Sequence, residues 1–406
     1  MSAETQVHAN LTAEQVREIS GELDEPDWLL ETRLEALEAL DELDMPDVIR
    51  TPGRDWTNLH ELDFESLVDP LNAAENKDQV GPDNVDVLAW SEAVDEHEDL
   101  LKEHFGSTVD PQDSYLTALS TALFSTGTVV YVPEGVDAED VTIRTEQNSR
   151  SLFNYTLVVT AESSSVTILE RQSTGKEAEE QYYSGIVEIV AGENSNVQYG
   201  SLQNLSEDAY NFTVKRGVTD TYATIDWIEA NIGTQLTKTE VSTTLAGDSS
   251  ETQIVGAFYG HNDQHFDLDA KVWHRAEHTT ADLVTRGVTD DIARSVYEGV
   301  QDVGRDAWDT SSYQRENTLM LSDESEADAS PKLIINNHDT EASHSATVGQ
   351  IDQEDLLYMT SRGIDPRSAR NMLVEGFFVP VMEEIAVEEL REDLTELIRT
   401  RLHERD

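Results

Sequence analysis

Short β-branched segments that recur at a near-constant interval are the feature that most limits how this chain can fold. From Gly127 onward they include Thr128–Val132, Thr156–Val159 and Val187–Val190, separated by polar turns. The four clearest turns begin roughly 27 to 31 residues apart, at Glu162, Glu193, Asp220 and Asp248. About 200 residues of such strands without amphipathic helices between them argue against a doubly wound sheet. The regular interval favours a β-solenoid over a sandwich.

Helical patterns flank this repeat. At the N-terminal side, Thr12 is a predicted N-cap, and apolar residues fall on one stripe between Trp28 and Leu40. Further helical spacing covers 90–105 and 114–124, whereas 51–85 is rich in Pro and Asp and is predicted to be irregular. The chain therefore divides into an N-terminal helical region (1–126), a β-solenoid core (127–350) and a C-terminal helical region (351–406).

The C-terminal region has clear helix signals. Asp352 and the pair Asp365 and Pro366 are predicted to begin two helices, and Gly363 to end the first. The last helix carries an apolar stripe from Val387 to Leu402. Periodicity alone does not decide whether such a stripe packs on its own domain or docks a partner. The side chains proposed for a partner contact are Phe377, Phe378, Leu390, Leu394 and Leu397.

The charge balance is extremely acidic. The 406 residues contain 83 Asp and Glu against 27 Lys and Arg, a formal net charge of −56. Molar salt shortens the Debye length to about 3 Å and suppresses the resulting self-repulsion, so the sequence is typical of a salty cytosol. No basic run suits nucleic acid, and no segment approaches the roughly 20 apolar residues that span a bilayer. The chain has no cysteine, which excludes disulfides and thiolate metal sites of its own.

Two histidine-rich segments resemble catalytic sites. The string from His274 to His278 fits H-x-x-E-H, but its flanks alternate with period two, so a zinc-peptidase helix is not expected. With His261 and His265 it is interpreted as polar surface at a solenoid corner, or alternatively as an accessory metal-handling face. No P-loop or G-x-S-x-G nucleophile elbow is present, and no catalytic residue is predicted.

The second segment runs from His338 to His344. If it is extended, the two histidines share a face but lie roughly 20 Å apart, too far to chelate one ion. Ser343 and His344 then point to opposite faces and do not form a catalytic pair. Ala342 lies on the same face as His344.

The order of several segments resembles the SufB/SufD family of iron–sulfur cluster assembly proteins. The resemblance is dense from about residue 250 to 380. It is carried by Gly260–His265, Asn317–Asp323, Pro331–Ile335, Ser343–Asp352 and Tyr358–Ile364. The run Ser343-His344-Ser345-Ala346-Thr347-Val348-Gly349 is similar to SufD sequences, whereas SufB more typically has His-Glu-Ala at this place.

The resemblance implies a right-handed parallel β-helix and a non-catalytic scaffold. It implies a SufB-like paralogue paired through the β-helix, a SufC-like ATPase on the C-terminal helices, and iron or a cluster held transiently at the SufB interface. His344 matches the SufD histidine that faces this interface. Many SufD proteins have a cysteine where this chain has Ala342, so thiolate ligands must come from the partner. A hetero-oligomer in the cytoplasm is expected, or a homodimer when the chain is isolated.

Two other readings remain open at this point. A homomeric, SufB-like cluster scaffold is the nearer alternative. A β-solenoid is also the scaffold of carbohydrate-processing enzymes, which place paired carboxylates in a groove.

Overall fold

A computed structural model of the chain describes residues 11–44, 77–175, 181–385 and 387–404. It is mainly β, with a β-solenoid of about eight turns between two groups of helices. The predicted fold class is therefore confirmed. Two nine-stranded sheets face each other along the solenoid. Sheet A has the order β1-β4-β6-β8-β10-β12-β14-β16-β18, and sheet B the order β17-β15-β13-β11-β9-β7-β5-β3-β2.

The strands of sheet A are β1 (Lys77–Val80), β4 (Asp137–Gln147), β6 (Ser165–Thr174), β8 (Asn196–Asn204), β10 (Thr224–Asn231), β12 (Glu251–Gly260), β14 (Thr280–Thr289), β16 (Thr310–Met320) and β18 (Thr340–Gln350). Those of sheet B are β2 (Asp86–Ala89), β3 (Thr126–Val132), β5 (Ser151–Thr160), β7 (Gln181–Ala191), β9 (Ala209–Thr219), β11 (Leu236–Leu245), β13 (His265–His274), β15 (Arg294–Val303) and β17 (Glu326–Ile335).

From β3 onward, successive strands alternate between the sheets, so each sheet pairs every second strand in parallel. Only the first pair in each sheet, β1 with β4 and β2 with β3, is antiparallel. Side chains that meet across the interior identify the inner face: Trp227 on β10 donates from Nε1 to the hydroxyl of Thr243 on β11 at 3.0 Å. One inner row of sheet A follows the register Val141, Ile168, Tyr199, Trp227, Ile254, Leu283, Gln314 and His344.

One corner of the solenoid explains the turn interval in the sequence. At the turns from sheet B to sheet A, a residue with positive φ recurs in consecutive coils: Ser163, Asn194, Tyr222, Ser249, His278 and Asp309. The backbone N–H of each of the first five donates to a carbonyl of the next coil at 2.8–2.9 Å. The stacked backbone bonds hold the corner together, and the small polar residues favour the left-handed conformation.

The N-terminal helices pack on the outer face of sheet B. They are α1 (Ala13–Glu22), α2 (Asp27–Ala39), α3 (Trp90–Glu96), α4 (Glu98–His104) and α5 (Tyr115–Leu123). Thr12 caps α1 with Gln15 in a capping box, as predicted. The loop after α4 is held by the buried carboxylate of Glu188 on β7, which accepts backbone N–H bonds from Gly106, Thr108 and Val109 at 2.8 Å.

The C-terminal helices pack on the outer face of sheet A. They are α6 (Gln353–Ser361), α7 (Pro366–Glu384) and α8 (Glu388–Glu404), and Asp352 and Asp365 cap the first two as predicted. Their apolar side chains join outward residues of β6, β10, β12 and β14 in one buried cluster. Arg171 on β6 fixes α8 through salt bridges to Asp393 at 2.6 Å and Glu389 at 2.5 Å.

Two sequence expectations need adjustment. The irregular segment predicted for 51–85 lies outside the described residues as far as 76, and β1 then forms a strand. The helical stretch predicted for 90–105 is two helices, broken at His97. Across the described parts of the chain, no helix is long and apolar enough to cross a membrane.

Candidate functional site at the open end of the solenoid

The two ends of the solenoid differ. At the first end, the antiparallel strands β1 and β2 cover the edges of β4 and β3. At the last end, β17 and β18 are the outermost strands of their sheets, and no described strand covers their outer edges. The terminal coil also exposes large apolar side chains, including Ile334 (46%) and Ile335 (43%). Uncovered edge strands present free backbone N–H and C=O groups, so this open end is a ready surface for another chain.

His344 lies in this terminal coil. It is exposed on β18, in register with the inward-facing Gln314 of β16. Strand alternation places Ala342 and Ala346 on the same inner face, as expected for Ala342. His338, however, precedes β18 in a bend and packs edge-on against Trp308 with ring centroids 5.2 Å apart. The prediction that the two histidines share a strand face is wrong, because the chain turns the corner between them.

A polar inner face lies directly below His344. On β16, Ser312, Gln314, Glu316 and Thr318 are buried, while the alternate residues are more exposed. The Thr318 hydroxyl donates to Oε1 of Glu316 at 2.5 Å. Burial raises the pKa of Glu316 to about 7, with this hydrogen bond acting in the opposite direction. The last coils therefore enclose a carboxyl group that is expensive to ionise.

Deeper coils contain ionisable groups as well. Lys215 on β9 lies 2.9 Å from both carboxylate oxygens of Glu229 on β10. Burial raises the pKa of Glu229, although the ammonium of Lys215 opposes the rise. The Tyr199 hydroxyl donates to Glu170 at 2.8 Å. Each of these carboxylates has a partner from another strand.

The four clustered histidines do not act together. His278 is exposed at the corner, where its Nδ1 lies 2.8 Å from Asp309, and this hydrogen bond raises its pKa. His261 pairs with Glu207 at 2.9 Å. His265 and His274 are buried at the two ends of β13, so the interpretation of all four as corner surface is wrong for this pair. The two histidines of the H-x-x-E-H string lie on a strand (His274) and in a turn (His278). The segment is not a helix, in agreement with the prediction.

Burial also changes which C-terminal residues can meet a partner. Phe378, Leu390 and Leu394 are buried in the cluster with sheet A, and Phe377 and Leu397 are half-buried against it. Phe377 additionally lies under the guanidinium of Arg286, 4.8 Å from the ring centroid. These five side chains hold the helices on the solenoid. The exposed apolar residues of this region lie instead on α6 and α7, namely Leu357 (69%), Tyr358 (61%), Met372 (53%) and Val379 (46%).

Within the described residues, no group of three or more His, Asp or Glu side chains is arranged to hold a metal ion. A metal ion at the open end would therefore have at most two such ligands from the described residues, and its other ligands would be water or groups of a partner.

Comparison with known proteins identifies the family. The model for the SUF system FeS cluster assembly SufBD core domain matches residues 142–377, and that for the SufBD protein N-terminal region matches residues 57–143. The chain belongs to the SufB/SufD family. This family works in the SUF system of iron–sulfur cluster assembly. The carbohydrate-processing alternative has no support from these matches.

The chain is almost equally similar to one SufD and one SufB protein of Bacillus subtilis. The iron–sulfur cluster assembly protein SufD is 29% identical over 430 residues, covering 96% of this chain and 97% of the relative. SufB of the same organism is 28% identical over 423 residues, covering 93% and 90%. A SufBD family protein of Staphylococcus saprophyticus is 27% identical, with 93% and 90% covered. Identity alone therefore does not assign the chain to one SufB/SufD branch.

Proposed function

We propose that this chain is a SufD-like, non-catalytic scaffold of the SUF machinery. The observation that carries this proposal is the open terminal coil, which presents His344 beside uncovered strand edges. The SufD-like run around His344 supports the choice of branch. The acidic composition supports work in a salty cytoplasm.

A SufB-like paralogue is the proposed partner at the open end. The outer edges of β17 and β18 offer backbone hydrogen bonds, and Ile334, Ile335 and Val348 offer apolar area next to them. A second solenoid with a similar terminal coil would satisfy both, because β-strand addition combines main-chain bonds with side-chain contacts. The partner thereby comes within reach of His344.

The proposed SufC-like contact moves to the exposed side of α6 and α7. The stripe from Val387 to Leu402 is used for packing on the solenoid, so it is not free to bind. Leu357 and Tyr358 are adjacent and largely exposed, which is uncommon for side chains of this size unless another surface covers them.

His344 is the proposed ligand for iron or a nascent cluster at the SufB-like interface. A neutral imidazole binds iron readily, but one imidazole does not hold an ion alone. With Ala342 at its side and no cysteine in the chain, thiolate ligands and sulfide must be supplied across the interface. No cluster is expected to remain on the isolated chain.

A SufB-like homomeric scaffold is the second candidate, favoured by the nearly equal identity to SufB. The two functions predict different assemblies. A SufD-like chain forms a mixed complex with its paralogue, whereas a homomeric scaffold assembles clusters without one.

The test is co-purification in molar KCl with the SufB-like protein and the SUF ATPase of the same organism. Ile334→Glu should abolish binding of the SufB-like protein and leave the ATPase bound. Leu357→Glu should do the reverse. Each variant is the matched control for the other, because both place a charge on an exposed apolar side chain. Cluster assembly by this chain alone, at the rate of the mixed complex, would reject the SufD-like function.

A further inference from the structure

Two buried carboxylates of this solenoid have a full set of fixed partners. Glu188 accepts three backbone N–H bonds and one from the Tyr155 hydroxyl. Glu229 lies against the ammonium of Lys215. Such partners are needed because an uncompensated charge in a protein interior is costly.

Glu170 and Glu316 lack such a set: each accepts one hydrogen bond from a neutral hydroxyl and keeps one buried oxygen without a partner. Of the two, only Glu316 lies on the strand next to the terminal strand β18, and the case for a site therefore concerns Glu316. Its side chain is almost fully buried, yet its one hydrogen bond among the described residues comes from the neutral hydroxyl of Thr318 to Oε1. Oε2 is buried without any partner, and no described cationic side chain forms a salt bridge with this carboxylate. A buried oxygen with an unused lone pair is a position that a donor, a water or a cation can fill.

Glu316 lies one strand away from the edge of the open end. Glu316 is in register with Ala346 on the terminal strand, and Gln314 is in register with His344. His344 is therefore a diagonal neighbour of Glu316 on the same inner face, within reach of a shared ligand. A Cβ on Gly299 would overlap the Gln314 amide, so this amide extends across the interior from β16 to sheet B in the coil next to His344.

We propose that Glu316 and His344 form a binding site for a divalent transition-metal ion, with iron(II) as the cargo, at the inner rim of the open end. The inference rests on the proposed function, to which it adds a second ligand and the form of the iron. A carboxylate and an imidazole suit a ferrous ion, whereas a cluster prefers thiolates, which this chain lacks. The ion would neutralise the charge of the Glu316 carboxylate. Its remaining coordination positions would be filled by water or by groups of the partner.

The experiment titrates the full-length chain with Co(II) in molar KCl. Co(II) occupies similar nitrogen and oxygen sites, and its visible absorption reports direct coordination. The wild-type chain should bind one ion saturably. Glu316→Gln and His344→Ala should each weaken binding by about tenfold or more, in the range found when a metal site loses a supporting group.

Glu170→Gln is the matched control. Glu170 is a buried glutamate on the same inner row of sheet A, which continues through Ser201, Glu229, Gly256 and Thr285 to Glu316. It lies several coils from the open end, so its loss should leave Co(II) affinity unchanged. Glu316→Asp keeps a carboxylate and should restore part of the binding lost in Glu316→Gln. Thermal melts of every variant verify folding.

The outcomes separate this inference from the proposed function. Loss of binding in His344→Ala with wild-type affinity in Glu316→Gln overturns the site but leaves His344 as a ligand. Loss in Glu316→Gln alone overturns the shared site and also the proposed role of His344. No saturable binding by the wild-type chain, or equal weakening by Glu170→Gln, also overturns the site. Pairing with the SufB-like protein, measured by co-purification, is unaffected by any of these results.

Discussion

Lys215 and Glu229 join the two sheets inside the solenoid: the lysine Nζ lies 2.9 Å from each carboxylate oxygen, with both side chains nearly excluded from solvent. The ammonium also lies 5.4 Å from the ring centroid of Tyr199. A pair in this setting favours one alignment of β9 with β10 across the interior, because each charge would be left uncompensated in another alignment.

We expect Lys215→Met to lower the free energy of unfolding by about 3–5 kcal/mol, because it leaves Glu229 buried without its countercharge. The double variant Lys215→Met, Glu229→Leu should recover most of this loss, since both charges are then gone. Urea unfolding in molar KCl measures the two values. A single variant as stable as the wild type would show that water reaches Glu229.

Stability should also depend strongly on salt. With a formal net charge of −56, the folded chain repels itself, and raising KCl from about 0.1 M to molar levels screens that repulsion. We expect the melting temperature to rise throughout this range. A melting temperature that does not respond to KCl would contradict the proposed adaptation to a salty cytosol.

The buried His274 should make the fold sensitive to mild acid. Burial lowers the pKa of His274 to about 4 from 6.5, so the folded state keeps the imidazole neutral. Its contribution is complete above pH 6.5 and is lost as the pH falls towards 4, because the unfolded chain then binds the extra proton. The effect is on the order of 3 kcal/mol. His274→Gln should reduce the loss of unfolding free energy between about pH 7 and about pH 5, which covers the upper part of this window. Denaturant titrations at the two pH values would measure the difference.

His344→Ala should leave the fold and the association with both SUF partners nearly unchanged, since an exposed strand substitution shifts stability by about 0.5 kcal/mol or less. Cluster formation should fall sharply because the interface loses a ligand. Size exclusion gives complex yield, and iron and sulfide analysis after reconstitution gives cluster content. His338→Ala is the control and should do little, because His338 is outside β18. If the complex dissociates in His344→Ala, the residue is structural.

The solenoid could be predicted from sequence because its corner repeats a local conformation. Ser163, Asn194 and Ser249 are small polar residues at the left-handed position of a turn, and each directly follows an acidic residue. The later coils were harder to recognise. There the same position holds His278 and Asp309, and a histidine at this position also fits the pattern of a metal ligand.

The partners of the apolar surfaces could not be predicted in the same way. Periodicity places Leu390 and Leu394 on one face of α8, but it does not say that outward residues of β6 and β10 cover them. The site below His344 was missed for a related reason. The inner residues of β16 are polar, so alternation of hydropathy does not distinguish the inside of the last coil from its outside.

The unequal ends of the solenoid limit how far such molecules can be joined in a row. A parallel stack with two uncovered ends could add units without limit and would risk growing into a filament. Here one end finishes in the antiparallel strands β1 and β2 of 4 residues each, whereas the other finishes in β17 and β18 of 10 and 11 residues, so the long edges are expected to pair with each other and leave only the short edges outside. An assembly formed through the long edges alone would be a discrete pair and not a filament.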